Sequence, residues 1–464
     1  MTAPNPSSNL PLPPFAYYGI IIHAPTPTKL VIQPHTLLVV TPPKITLIVP
    51  SLPAPYITQT LVSAGFNPNK ITIHTLPSTS FLIPGFIDTH NHAPQWTQRG
   101  VGRGRLLMDW LNTITFPHES RFSDTEYAKK TYASLVDGFL NQGVTTASYY
   151  GSIHTEATKI LAEVCLEKGQ RALVGKCNMD QNAPDFYCET SAEASLVATH
   201  DFLAQIQALD PTESLVSPIL TPRFAITCSA PLLAGLGDLI SKNPTLRSQT
   251  HFNEAEQEMY LTKTLFPEFP DETALYTHFS LLNSRSILAH CIFLTPSDFS
   301  ALKSADAGVS HCPISNTTIG PFMCAPVREF LRHDIKVGLG TDSGGGYSAS
   351  ILDAMKLAFV VSKARELETA GKDEELTLTE GFYLATRGGA RVCGLEEKVG
   401  VLEVGMEFDA LEIRTGGIMA PVEEETDDLG IIFEKFLMSG DDRNIRKVFV
   451  AGRCVKGGTS EVSE

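Results

Sequence analysis

An apolar run ends in the pattern His-x-His in the stretch Pro84-Gly85-Phe86-Ile87-Asp88-Thr89-His90-Asn91-His92. Side chains two positions apart on a strand point to the same face and lie ~6.7 Å apart along it. At the carboxyl end of a barrel strand, the imidazoles of His90 and His92 can both reach one metal ion. The pattern alone is also compatible with two unrelated surface histidines. We therefore predict a barrel strand with a candidate metal site at its end.

Downstream of this stretch, short apolar runs alternate with longer amphipathic segments. Eight runs have strand character, at residues 81–89, 144–149, 172–179, 216–224, 247–252, 286–294, 308–312 and 336–341. Helical patterns lie between them, for example at residues 124–141, 154–168 and 350–368. Strands that alternate with helices in this way predict an α/β fold, a (β/α)8 barrel of the TIM type.

Both ends of the chain have a different character. Short β-branched runs separated by prolines occupy residues 18–22, 30–32, 36–40, 44–49 and 71–74, and β character returns at 399–404, 409–414 and 447–456. We predict one small composite β-sandwich from residues 15–83 and 395–456, beside a barrel domain at 84–394. Residues 1–14, with five prolines, and residues 457–464 are predicted to be tails.

Composition limits the classes of partner and compartment. The 464 residues are 43% apolar and 19% charged, and the net charge of −15 argues against nucleic acid or an anionic membrane as the main partner. No apolar run approaches the ~18–20 residues that span a bilayer. The first basic residue is Lys29, so the N-terminus lacks the basic region of a signal peptide. The nine cysteines are scattered without a C-x-x-C pair, so we expect reduced thiols and a cytoplasmic protein.

Further metal-ligating residue types stand where other apolar runs end. His251, His290, His311 and Asp342 each occupy the end of a predicted barrel strand. Any one of them could be a buried histidine or carboxylate with a purely structural role. Because the carboxyl ends of all barrel strands meet at one face, their shared position predicts a metal site there.

Several longer motifs identify a family. They are PGFIDTHNHAPQWTQRG (84–100), TFPHESRF (115–122), TPRF (221–224), THFNE (250–254), SHCPISN (310–316), KVGLGTDSGGGYSASILDAMK (336–356) and DDRNI (441–445). With these motifs the chain resembles the guanine deaminases of the amidohydrolase superfamily across nearly its whole length. Two features depart from the family pattern: Cys291 replaces the usual glycine after the strand-6 histidine, and Gly320-Pro321 lies in the loop between strands 7 and 8.

The resemblance implies one zinc ion held by His90, His92, His251 and Asp342. Three neutral imidazoles and one carboxylate suit Zn²⁺ and leave a position for water. Two-metal relatives use a carbamylated lysine on strand 4, but residues 215–225 contain no lysine. Lys176 on strand 3 stays as a remaining candidate for that role.

The resemblance also assigns catalytic roles. Zinc would make water a nucleophile at neutral pH by lowering its pKa to ~7. Glu254, in the pattern His-x-x-Glu, would move protons without ligating the metal. His290 would hydrogen-bond the attacking water, and Asp342 would accept its proton. The alternative for Glu254 is a solvated carboxylate in an acidic stretch.

Arg223, Phe224 and Gln95 are the candidate substrate-binding residues, together with His92, His251, Glu254 and Asp342. Arginine has only donors, so Arg223 should favour the O6 and N7 acceptors of guanine over the amino group of adenine. Phe224 could stack on the purine, and Gln95 could contact another ring edge. The alternative for Arg223 is an ordinary ion pair.

The leading prediction is hydrolysis of guanine to xanthine and ammonia. The alternatives are a deaminase of a related heterocycle (8-oxoguanine, a pterin or an s-triazine) and a non-catalytic scaffold with the same fold. A homodimer is implied by the resemblance alone. His311, Asn316, Trp96 and Trp110 are each compatible with a role in the site or in packing. Gly344-Gly345-Gly346 lacks the spacing and the Lys-Ser/Thr of a phosphate-binding loop.

Overall fold

A computed structural model of the chain describes residues 12–319, 323–417, 419–423 and 425–457. Residues 1–11 of the predicted N-terminal tail, the Gly320-Pro321 pair and residues 458–464 lie outside the described residues.

The larger sheet is a parallel barrel with helices between its strands, which confirms the predicted fold. Its strands are β6 (Phe86–His92), β7 (Val144–Tyr150), β8 (Arg171–Gly175), β9 (Cys177–Asn178), β10 (Val216–Pro222), β11 (Arg247–Phe252), β12 (Ser286–His290), β13 (Gly308–His311) and β14 (Lys336–Leu339). Their spatial order is β14-β13-β12-β11-β10-β8-β7-β6, and the short β9 pairs with β10. Each predicted barrel run therefore contributes one strand of the barrel, except the run 172–179, which contributes β8 and the short β9.

Hydrogen bonds between its first and last strands close the barrel. The hydroxyl of Thr89 donates to the carbonyl of Leu339 at 2.9 Å, and the amide of Asp342 donates to the carbonyl of His90 at 2.8 Å. The Asp88 carboxylate accepts from both the amide and the hydroxyl of Thr341, at 3.0 and 2.6 Å. The closure thus places the end of β6 directly against the segment that carries Asp342.

Most of the α-helices connect the barrel strands, whereas α1 and α16 connect strands of the smaller sheet. The α-helices are α1 (Ile57–Ser63), α2 (Leu107–Trp110), α3 (Phe116–Glu119), α4 (Thr125–Asn141), α5 (Thr155–Lys168), α6 (Ala192–Leu209), α7 (Ala230–Lys242), α8 (Glu256–Leu265), α9 (Glu272–His278), α10 (Pro296–Ala305), α11 (Pro313–Thr318), α12 (Val327–Arg332), α13 (Ile351–Glu368), α14 (Leu378–Tyr383), α15 (Gly389–Val392) and α16 (Leu429–Ser439). Asp124 and Ser350 begin α4 and α13 by accepting hydrogen bonds from amides of the first turn. Helix residues such as Phe139 and Met355 are fully buried in the core between helices and barrel.

The smaller sheet combines strands from both ends of the chain, as predicted. Its strands are β1 (Phe15–Thr26), β2 (Lys29–Thr41), β3 (Lys44–Val49), β4 (Thr72–Thr75), β5 (Ser80–Pro84), β15 (Ala410–Arg414), β16 (Ile445–Val450) and β17 (Arg453–Lys456). The order is β17-β16-β15-β5-β1-β2-β3, and β4 pairs with β1. Strands from the N-terminal part therefore pair directly with strands from the C-terminal part.

Several predicted runs differ from the structure. The runs 30–32 and 36–40 belong to one strand, β2, and the run 447–456 is divided between β16 and β17. The run 81–89 is divided at Gly85: β5 belongs to the smaller sheet, whereas β6 begins the barrel. A side chain at Gly85 would lie 2.1 Å from the hydroxyl of Thr145, so only glycine fits at this crossing. Residues 399–404 form an irregular loop rather than a strand. Val399, Val401 and Leu402 are buried there, so their apolar character reflects packing and not pairing.

In the part of the chain that the structure describes, no helix has both the length and the apolar character to cross a bilayer.

Candidate active site

Four side chains predicted to ligate a metal converge at the carboxyl end of the barrel. The Nε2 atoms of His90 and His92 lie 3.3 and 3.6 Å from Oδ1 of Asp342. The Nε2 atoms of His92 and His251 lie 3.1 Å apart. All four residues are buried. The structure therefore brings together on one point residues that are up to 252 positions apart in the sequence.

Neighbouring groups orient the imidazoles of strands β11 and β12. Nδ1 of His251 donates to the carbonyl of Arg223 at 2.6 Å, and Nδ1 of His290 donates to Oδ1 of Asn316 at 2.8 Å. When a hydrogen bond holds Nδ1–H, the other nitrogen is left as the acceptor or metal ligand. Asn316 therefore holds a histidine of the site. His311, at the end of β13, is also buried, and burial lowers its pKa to about 3.

The chemistry of this cluster fits a metal ion. Burial lowers the pKa of His90, His92 and His251 well below the usual range, so these imidazoles are neutral, the form that binds metal. Nε2 of His90 is buried and has no hydrogen-bond partner among the described residues. The ligand atoms of His90, His92 and Asp342 lie within 4.8 Å of one another, as do those of His90, His251 and His290. A cation between them would satisfy acceptors that otherwise face one another.

Strained backbone positions hold several of these groups. Asn253, His290, Cys291 and Asp342 have φ of 47°, 74°, 48° and 43°, in the left-handed region that ordinary residues rarely adopt. Such positions cost of order 1–3 kcal/mol each and occur where function requires a particular direction of the side chain. Cys291, which replaces the usual glycine of the family, adopts the backbone conformation that glycine favours.

Glu254 is buried beside the cluster and is not a solvated carboxylate. Its Oε1 lies 3.6 Å from Nε2 of His290, and its amide donates to Glu258 at 2.6 Å. Burial, and then the charge of Asp342, raise the pKa of Glu254 to about 8. A carboxyl group that titrates near neutral pH can both accept and donate a proton.

A cavity of about 330 Å³, including its open mouth, lies over these groups. It is lined by His92, Gln95, Leu107, Trp110, Leu111, Arg223, Phe224, His251, Glu254 and Ile319. The mixture of apolar walls with a few polar groups is typical of a site for a small molecule. Trp110 is thus part of the pocket wall. Trp96 instead packs against Phe139 and donates to Ser134, outside this cavity.

Glu119, at the end of α3, is a buried residue of the site that was not predicted from the sequence. Its carboxylate accepts two hydrogen bonds from the guanidinium of Arg223, at 2.7 and 3.1 Å, and one from Nε2 of Gln95 at 2.8 Å. Glu119 stands within the motif TFPHESRF, so the resemblance contained a signal for it. Its partners are distant in sequence, so no local pattern could have named them.

The glycines at 344–346 have a steric role. A side chain at Gly344, where φ is 127°, would lie 2.0 Å from Oε1 of Gln95. One at Gly345 would lie 2.8 Å from Oδ2 of Asp342, and one at Gly346 would lie 2.1 Å from the carbonyl of Thr341. This segment therefore packs closely against the pocket because it has no side chains.

Lys176 is occupied elsewhere. Its Nζ lies 2.6 Å from Oε1 of Glu189 and donates to the carbonyl of Cys177. It belongs to neither of the described groups of side chains that could hold an ion.

Comparison with known proteins assigns the chain to a family. The model of the amidohydrolase family matches residues 81–455. The chain is 41% identical over 390 residues to a probable guanine deaminase of Schizosaccharomyces pombe, covering 84% of this chain and 74% of that protein. It is 40% identical over 401 residues to guanine deaminase of Dictyostelium discoideum, covering 86% and 87%. The crystal structure of guanine deaminase from C. acetobutylicum with bound guanine superimposes with a TM-score of 0.85 at 33% identity, covering 95% of this chain and 99% of that one. The chain therefore belongs to the amidohydrolase family of hydrolases, within its guanine deaminases.

Proposed function

We propose that this protein hydrolyses guanine to xanthine and ammonia with one zinc ion per chain. The observation that carries the proposal is a single cavity lined by the donors of Arg223, the acid Glu254 and the imidazoles of His92 and His251. The names of the relatives support the same reaction.

His90, His92, His251 and Asp342 would hold the zinc ion. Zinc accepts imidazole nitrogen and carboxylate oxygen ligands, so three neutral imidazoles with one carboxylate are a suitable set. When bound, zinc supplies a water nucleophile at neutral pH.

Glu254 would move the protons of the reaction. Attack at the amino-bearing ring carbon requires a proton on the adjacent ring nitrogen, and ammonia leaves only after its nitrogen is protonated. The carboxyl of Glu254 lines the cavity, and its raised pKa suits both proton uptake and release. His290, held through its Nδ1 by Asn316, would direct Nε2 toward the attacking water, and Asp342 would accept the proton of that water.

Arg223 would select the oxo-purine. Its pair with Glu119 uses two of the five guanidinium N–H groups. The remaining donors suit O6 and N7 of guanine, whereas the amino group of adenine would place donors against donors. Phe224 forms an apolar wall of the cavity on which the purine face could stack, and Gln95 lines the same cavity.

The first experiment is ammonia release from guanine, and from adenine in parallel, by the zinc-loaded protein. We expect release from guanine only. Arg223→Ala should lower kcat/KM for guanine by roughly 10- to 100-fold, the value of one bidentate base contact, and should keep the bound zinc. Unchanged kinetics would remove Arg223 from the substrate site.

The other outcomes separate the alternatives. Zinc binding without release from guanine would favour another amino-heterocycle, for which 8-oxoguanine, a pterin and an s-triazine are the substrates to try. Neither zinc nor release would favour the scaffold.

The assembly, location and domain bounds are parts of the same proposal. A homodimer is supported by the family resemblance and a cytoplasmic location by the nine cysteines, all of which are free thiols. Strand membership supports a barrel domain beside a composite unit, for which we propose bounds of 84–394 and of 15–83 with 395–456. The tails at 1–14 and 457–464 stay a prediction. Analytical ultracentrifugation tests the dimer, and limited proteolysis tests the domain bounds.

A further inference from the structure

Glu119 connects the two polar side chains that would read the substrate. It is fully buried, with no exposed surface. Through one carboxylate it accepts from the guanidinium of Arg223 and from the amide of Gln95, and both of these residues line the cavity. Because Arg223 follows β10 and Gln95 follows β6, Glu119 joins two separate parts of the pocket.

The ion pair between Glu119 and Arg223 fixes the orientation of the guanidinium plane as well as balancing its charge. Two nearly parallel N–H···O bonds, at 2.7 and 3.1 Å, orient a guanidinium far more strictly than a single bond does. The ring of Phe116 lies 5.2 Å from the guanidinium carbon and packs against the same group. The unused N–H groups of Arg223 therefore keep a set direction.

The hydrogen bond between Glu119 and Gln95 determines which end of the Gln95 amide can contact a ligand. A carboxylate oxygen can only accept from the NH₂ group, so Nε2 of Gln95 faces Glu119. Its Oε1 is buried and has no hydrogen-bond partner in the described ranges. Gly344 leaves room for that oxygen, since a side chain there would lie 2.0 Å from it. The pocket therefore combines donors on Arg223 with an unused acceptor on Gln95.

We propose that Glu119 is the positioning residue that sets substrate specificity, by holding Arg223 as a donor and Gln95 as an acceptor. The inference rests on the proposed function. The matching ligand is an oxo-purine that offers acceptors at one edge and a ring N–H at another. Without the carboxylate, the amide of Gln95 could rotate and present its NH₂ group, so that donors would face the ring N–H.

The test is Glu119→Gln, a substitution of nearly equal volume that removes the charge. We expect kcat/KM for guanine to fall roughly 10- to 100-fold, mainly through KM, while zinc content per chain stays unchanged. Because Glu119 acts in part through Arg223, the loss in the double variant Glu119→Gln/Arg223→Ala should be smaller than the product of the two single losses, and any loss beyond that of Arg223→Ala reports the contact with Gln95. Kinetics of Glu119→Gln equal to the wild type, or losses that multiply in the double variant, would overturn the inference.

A buried arginine pair outside the site provides the matched control. Arg171 is almost fully buried and lies 2.6 Å from Oε2 of Glu407. Glu407→Gln should lower the melting temperature and leave KM for guanine unchanged. If Glu407→Gln raises KM as Glu119→Gln does, the effect is one of general stability and the inference fails.

Glu119→Asp is a second variant, which tests the proposal if Glu119→Gln does not fold. Glu119→Asp keeps the charge but shortens the side chain by one methylene, so it cannot reach Arg223 and Gln95 in the same geometry. We expect it to raise KM with little loss of melting temperature; wild-type KM in a folded Glu119→Asp protein would contradict the proposal.

The wild-type measurement separates this inference from the proposed function. No ammonia from guanine by the zinc-loaded wild type would overturn both. Release by the wild type and unchanged kinetics in the Glu119 variants would overturn only the role of Glu119.

Discussion

The two ends of the barrel each contain a buried arginine paired with carboxylates, but they use it differently. At the amino end, Arg171 begins β8 and donates to both oxygens of Asp409, to Glu407 and to the carbonyl of Ser214. At the carboxyl end, Arg223 follows β10 and its side chain pairs with Glu119. The first network ties the barrel to the segment that leads into β15 of the smaller sheet. The second lies in the wall of the pocket.

The two ends of the barrel differ in whether the buried polar atoms near the arginine have hydrogen-bond partners. Each nitrogen of the Arg171 guanidinium donates to an oxygen, and Asp409 also accepts from the amide of Ala451. Near Arg223, by contrast, Oε1 of Gln95 and Nε2 of His90 are buried without a partner in the part of the chain described. Burying an unpaired polar atom costs about 1–3 kcal/mol, and a ligand that pairs with these two atoms would recover that cost. We therefore expect the amino end of the barrel to serve stability and the carboxyl end to serve binding, as is usual for barrel enzymes.

The largest effect on function should come from removing a ligand at the carboxyl end. His90→Ala should lose most of the bound zinc. Removing a residue that only hydrogen-bonds a metal ligand lowers activity ~10- to 100-fold, and removing the ligand itself should lower activity by more. The barrel should still fold, because closure uses the backbone carbonyl of His90. Metal analysis of the purified variant with circular dichroism checks this. His23→Ala, which removes a buried histidine of β1, is the control and should keep its zinc. Full zinc in His90→Ala would show that the cluster is not the metal site.

At the amino end the expected effect is on stability. Asp409→Asn removes the charge that faces Arg171 and should lower the free energy of unfolding by about 3 kcal/mol, the lower part of the range for breaking a buried pair, because Glu407 remains. Denaturant unfolding measures the change, and kcat/KM of the folded protein should stay at the wild-type value. Asp238→Asn, in an exposed pair with Lys242, is the control and should change stability very little. A loss of activity without a loss of stability in Asp409→Asn would mean that the two ends are not separate.

A pH dependence of stability is expected at the carboxyl end. The pKa of Glu254 is raised from 4.5 to about 8 in the folded protein, so the native state binds this proton more tightly than the unfolded state. The stability that the protonated Glu254 carboxyl contributes is therefore fully present below the pKa of this group in the unfolded state. That stability is lost as the pH rises through about 8. In metal-free protein, the melting temperature of Glu254→Gln should fall less steeply between about pH 5 and pH 8 than that of the wild type. Calorimetry at several pH values measures the slope. Glu256→Gln, at an exposed neighbour, should keep the wild-type slope, and equal slopes in all three proteins would contradict the raised pKa of Glu254.

Local patterns predicted much of this architecture. The eight barrel runs and the helices 124–141 and 350–368 are each visible within a window of a few turns, because burial of one face imposes its own periodicity. His90, His92, His251, His290 and Asp342 could be predicted together, since the carboxyl ends of all barrel strands meet at one face. The same reasoning failed at residues 399–404, where buried valines pack without pairing. It also failed at Gly85, where one apolar run supplies strands to two sheets.

The residues alone predict the succession of strands and helices, the chemical types at the strand ends and, through the motifs, the family. Which distant side chains meet is set by the packing of the folded chain. Glu119 reaches Arg223 across 104 positions, and the amide of Gln95 obtains its orientation from that same carboxylate. The reason is physical: periodicity records whether a side chain is buried, whereas a hydrogen-bond partner depends on how separate loops pack over the end of the barrel.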